Sequence, residues 1–191
     1  MKHLSKVFLL VTCIYGSYSA AFSQEVVSEQ TKSELIFLDR YYEMKETYPD
    51  LKDLSGIYAA SSHTMPRFME RYNEMKAVHP QLSKLWAFYA ASSHPLEEFI
   101  KRYYAMHDAY PKMQNSWAAY AASKNSMEEF IKRYYQLKDS DRTMMRYLSD
   151  YAGSENSMNE FTARYYSVKA SNPALKSACG NYAASKHRLS K

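Results

Sequence analysis

The chain has 191 residues, of which 4 are Gly, 6 Pro, 19 Tyr and 11 Met. So few Gly and Pro exclude collagen-like, linker-like and turn-rich all-β chains, and 46% hydrophobic with 24% charged residues excludes disorder. A formal net charge of +5 is too mild to predict nucleic-acid binding.

In chain order, the N-terminus reads as a cleavable secretory signal. Lys2, His3 and Lys6 precede the apolar run Val7 to Ile14, and small residues follow at Ser17, Ser19, Ala20, Ala21 and Ser23. The run is too short to span a bilayer, and no later segment reads as transmembrane. The expectation is a signal peptide over 1–23, a lead-in over 24–33 and a secreted or periplasmic protein. Losing Lys2 and Lys6 from the 25 basic residues leaves 23 against 20 acidic ones, a net +3. Cys13 would leave as well, so Cys179 stands alone and is expected to be packed rather than disulfide-bonded.

The rest of the chain repeats with a period of 31 residues. Arg40, Arg71, Arg102, Arg133 and Arg164 keep it. So do Phe37, Phe68, Phe99, Phe130 and Phe161; Tyr41, Tyr72, Tyr103, Tyr134 and Tyr165; and Tyr58, Tyr89, Tyr120, Tyr151 and Tyr182. Five units follow without insertion, 34–64, 65–95, 96–126, 127–157 and 158–188, before a tail at 189–191. Each reads as two helices. In the third unit Leu96, Phe99, Ile100, Tyr103, Met106, His107 and Tyr110 draw one apolar stripe. Ser126 with Glu129, and Ser157 with Glu160, fit the capping box that opens a first helix. Pro49, Pro80, Pro111 and Pro173 recur between the helices, with Arg142 in that place in the fourth unit. The second helix ends in small residues, Ala59-Ala60 to Ala183-Ala184, which let helix axes approach.

One hairpin cannot bury its own apolar faces, so the prediction is all-α: an α-solenoid of five helix-turn-helix repeats, ten helices in all, with an uncapped end that invites a partner. The chain resembles the tetratricopeptide-like helical-hairpin superfamily. The likeness rests on that architecture and on Pro80 and Pro111, each six residues before a Trp-x-x-Tyr-Ala stretch (Trp86 to Ala90, Trp117 to Ala121). The period departs from that family's 34, and its later Tyr and Ala positions do not map. The resemblance implies a partner-binding scaffold and nothing more specific.

Three ladders are candidate sites. The five Arg residues read either as structural, with Arg102, Arg133 and Arg164 four residues after Glu98, Glu129 and Glu160, or as a guanidinium ladder for an acidic ligand. Tyr42, Tyr104, Tyr135 and Tyr166 sit on a helix flank, broken only by Asn73, and suit either packing between units or contact with a peptide or sugar. His63, His94, Asn125, Asn156 and His187 recur between units; adjacent ones are too far apart to share a metal, and left-handed helix caps are the expectation.

No catalytic motif, metal set or cofactor signature is present. The functional expectation is an exported, non-catalytic scaffold binding a protein or peptide. The alternatives are carbohydrate or cell-envelope binding through the flank tyrosines, and head-to-tail self-association of the acidic first unit (net −3) with the basic last unit (net +4).

Overall fold

The computed structural model describes the backbone of residues 20–186 and the side chains of residues 31–186. The core of the signal segment, His187 and the tail lie outside the described residues.

Among the described residues there are ten α-helices and no strand. The outer helices are α1 (Ala20–Thr47), α3 (Met65–Val78), α5 (Leu96–Ala109), α7 (Met127–Ser140) and α9 (Met158–Ser171). The inner ones are α2 (Ser55–Ala60), α4 (Trp86–Ala91), α6 (Trp117–Ala122), α8 (Leu148–Gly153) and α10 (Ala178–Ala184). Consecutive outer and inner helices pack as neighbouring pairs. Ser126 and Ser157 accept from the N–H groups of Glu129 and Glu160, capping α7 and α9.

Two expectations about local structure change. The outer helix begins at the unit boundary in the last four units, but in the first it begins ahead of it: α1 has 28 residues where the others have 14. The second helix is not continuous either. Pro49, Pro80 and Pro173 each open a 3-10 turn, and the backbone departs from helical at Leu51 and Leu82 before the short inner helix starts. Asp141 replaces proline's role in the fourth unit by accepting from the Thr143 N–H.

Every unit buries the same residues. Phe37, Phe68, Phe99, Phe130 and Phe161 are fully buried, as are Met44, Met75, Met106, Leu137 and Val168, and Ala59, Ala90, Ala121, Ala152 and Ala183. Between units, the inner-helix tyrosine meets the next outer-helix phenylalanine edge to face. This holds for Tyr58–Phe68, Tyr89–Phe99, Tyr120–Phe130 and Tyr151–Phe161, with ring centroids 5.3–5.5 Å apart.

The same contact recurs between the last unit and the first. Tyr182 meets Phe37 edge to face at 5.4 Å, and α10 packs on α2 as each inner helix packs on its successor. The five hairpins therefore close into a ring, and the expectation of an open solenoid with an uncapped end is corrected. Unit shape is the cause. An inner helix of six residues is about 9 Å long and an outer one of fourteen about 21 Å. The inner helices meet through Gly56, Ala87, Ala118, Ser149 and Gly180, so their axes approach closely and each unit becomes a wedge. Residues midway along α1 complete the seam. Arg164 donates to Ser33 at 3.2 Å, and Glu34 accepts from Ser171 at 2.5 Å and Asn172 at 2.6 Å. The first unit thus meets the last within one chain.

Candidate functional site

The arginine ladder is turned into the hairpins. Arg71 donates to the carbonyls of Tyr89 (3.1 Å) and His94 (2.6 Å) and to Ser92 Oγ (3.2 Å). Arg40, Arg102, Arg133 and Arg164 repeat the pattern on Tyr58, Tyr120, Tyr151 and Tyr182. Each guanidinium also lies 4.1–4.3 Å from that tyrosine's ring centroid. The Tyr carbonyl lies at the C-terminus of the inner helix, where it also accepts from the N–H and hydroxyl of the serine three residues on, so the arginine ties that helix end to the segment that leaves it. The expected i, i+4 acid pairing is absent at two positions: Glu98 faces His94 and Glu129 faces Lys132.

The inter-unit ladder is corrected too. The only positive-φ non-Gly residue described is Lys176, so none of His63, His94, Asn125 and Asn156 is a left-handed cap. The inner helices leave through Ser61, Ser92, Ser123, Ser154 and Ser185 in extended conformation, each hydroxyl donating to the carbonyl three residues back. That frees His63, His94, Asn125 and Asn156 to reach into the following unit. His63 and His94 donate through Nε2 to the carbonyls of Ser92 and Ser123, and Asn125 and Asn156 to those of Ala152 and Ala183. The serine column is visible in the sequence as a recurring Ala-Ala-Ser, or Ala-Gly-Ser in the fourth unit, but residue type alone does not show that it ends each inner helix.

Tyr42, Tyr104, Tyr135 and Tyr166 remain on the outside, 43–46% exposed. Each packs edge to face on the preceding tyrosine. Lys45, Lys138 and Lys169 lie over Tyr42, Tyr135 and Tyr166. Tyr166 also reaches Thr143 Oγ1 at 3.1 Å. Cys179 is buried, and burial pushes its thiol pKa up, which keeps it protonated.

A second feature went unrecognised in the sequence. A cavity of about 790 Å³ is lined by Ile57, Phe88, Asp150 and Asn181, residues from α2, α4, α8 and α10. Helices on opposite sides of the ring share it only if it lies on the ring axis. These four positions are one repeat column, with Ala119 as its fifth member. The column changes chemistry from unit to unit, between a Gly/Ala/Ser column and an invariant Tyr column, but so does the column Ser55, Trp86, Trp117, Leu148 and Cys179, so variation alone did not single it out. One turn earlier, Asp53, Arg146 and Ser177 form the mouth, joined by Lys169 and Lys176.

The polar groups of this cavity have few partners. Among the described residues, no side-chain hydrogen bond or ion pair engages the Asp150 carboxylate, the Asn181 amide or the Arg146 guanidinium. Burial pushes the Asp150 carboxyl up to about 7. Glycine makes room for both polar side chains: a Cβ at Gly180 would collide with Asp150 and with the Tyr147 ring, and one at Gly56 would come within 2.5 Å of Asn181 Oδ1.

Among the described residues no group of His, Cys, Asp and Glu is placed to hold a metal, and no helix is long and apolar enough to cross a membrane. No protein-family model matches the chain, and neither curated proteins nor solved structures give a match.

Proposed function

We propose that the protein is an exported, non-catalytic ring scaffold that binds a protein or peptide partner on its outer surface through Tyr42, Tyr104, Tyr135 and Tyr166. The exposure of these four rings carries the reading. Amphipathic aromatics offer large contact area at low entropic cost, and each is already held against a neighbouring ring. The five arginines are turned inward onto Tyr58, Tyr89, Tyr120, Tyr151 and Tyr182 and have no part in this contact. Export rests on the basic, apolar and small-residue order of residues 1–23.

Photo-crosslinking from the Tyr104 and Tyr135 positions in the native compartment tests this. A discrete protein adduct lost in the Tyr42/Tyr104/Tyr135/Tyr166→Ser variant, with its melting transition retained, supports the reading. Binding to glycans without a protein adduct, or an adduct that survives the four substitutions, overturns it.

A further inference from the structure

We propose that the axial cavity binds a small zwitterion, a free amino acid or dipeptide, with its ammonium on Asp150 and Asn181 and its carboxylate at the Arg146, Lys169 and Lys176 mouth. Arg146 lies near the end of the fourth unit's 3-10 turn and Asp150 lies four residues on, in α8, a separation at which opposite charges can still meet. Here they stay apart, the carboxylate one turn deeper than the guanidinium and both directed at the same space. Charge separation of this kind selects among ligand classes. A simple anion would satisfy the mouth and leave Asp150 unpaired beside it. A simple cation would satisfy Asp150 and have to pass three basic groups. An apolar ligand would strand both sets without water. A ligand carrying both charges answers all of them.

The walls fit the remainder of such a molecule. Ile57 and Phe88 offer an apolar surface for a side chain, opposite the polar pair Asp150 and Asn181. The volume falls in the range of about 300–1,000 Å³ usual for small-molecule sites. Gly180 and Gly56 replace a bulkier contact residue at the two places where a polar side chain needs space. The groups facing Asp150 are Arg146 and Tyr147 from its own segment, Asn181 and Ser177 from the last hairpin, Tyr165 and Lys169 from α9, Lys176, and Asp53. A ligand ammonium would hold Asp150 ionised, so dipeptide binding should strengthen as pH rises from about 6 to about 7.5 and weaken again above about 8, where the ligand's own α-amino group loses its proton.

The test is an NMR titration of the Ile57 methyl group at about pH 7.4, where the dipeptide amine is still mostly protonated, with Ala-Phe, N-acetyl-Ala-Phe and Ala-Phe amide. The expected result is saturable binding of Ala-Phe with a Kd below about 1 mM, and at least about ten-fold weaker binding of each blocked form. Asp150→Asn should erase the preference for the free amine, and Arg146→Gln that for the free carboxylate. If either variant fails to fold, the blocked dipeptides on the unaltered protein still decide. Full-strength binding of either blocked form, or no shift with any of the three at about 10 mM, overturns the proposal.

Discussion

Replacing Arg71 by Met removes a buried tie at a helix end while keeping an unbranched apolar stem of similar reach. Arg71 is 5% exposed and makes hydrogen bonds to two carbonyls and one hydroxyl at 2.6–3.3 Å, with its guanidinium carbon 4.1 Å from the Tyr89 ring centroid. Burial lowers its pKa from the ordinary arginine value, but arginine stays charged throughout the neutral range. A hydrogen bond from a charged donor contributes about 1.5–3 kcal/mol; the His94 carbonyl loses its donor, while the Tyr89 carbonyl keeps the N–H and hydroxyl of Ser92. Because these contacts share one group they do not add fully, so the expected loss is about 3–5 kcal/mol. For a chain of this size that lowers Tm by about 6–20 °C. Arg71→Lys keeps the charge but has one donor head instead of a fork, and should fall between the two. Urea and thermal denaturation followed by circular dichroism read both. A loss below about 1 kcal/mol for Arg71→Met would refute this role of the arginine, since surface substitutions typically change stability by no more than about 0.5 kcal/mol.

Three further outcomes follow from the ring and its axis. Asp150 binds its proton with a pKa near 7 in the native state against 3.8 when unfolded, so the native state retains a proton that the unfolded chain has released between those values. Its contribution therefore falls as pH rises from about 4 to about 7, by at most about 4 kcal/mol given its partial access to the cavity; Asp150→Asn should flatten that slope and be the more stable protein at pH 8, and an unchanged slope in urea titrations would contradict this. Gly180→Ala should cost about 1–3 kcal/mol because the added methyl meets Asp150 and Tyr147. By contrast Gly153→Ala, whose nearest neighbours stand at 3.4–3.7 Å, should be neutral or stabilising by up to about 1 kcal/mol; equal effects of the two in thermal melts would contradict the packing described. Phe37→Ala should destabilise by about 3–5 kcal/mol, like Phe99→Ala, because closure buries both rings equally.

The repeat, the helical class and the buried Phe and Tyr columns were legible in the sequence because each is a local pattern copied five times. Closure was not. It depends on the angle between successive units, which the small residues at 56, 87, 118, 149 and 180 set together with the shortness of the inner helices. Proline position alone did not reveal that the second helix would begin as a 3-10 turn. The arginines and the His/Asn ladder were visible as columns, but their partners are backbone carbonyls, and a carbonyl leaves no mark in residue type. Asp150 and Asn181 are unremarkable on a short amphipathic segment; only a closed ring gives that column an interior to face.

The central claim is that the fifth unit packs on the first as every other unit packs on its successor. Aromatic-selective NOE spectroscopy tests it directly, using the Tyr89–Phe99 pair, whose centroids are 5.5 Å apart, as the internal standard for Tyr182–Phe37 at 5.4 Å. The closed ring predicts a Tyr182–Phe37 cross-peak of comparable strength that is independent of protein concentration. A clear Tyr89–Phe99 cross-peak with none between Tyr182 and Phe37 would contradict closure and restore the open solenoid.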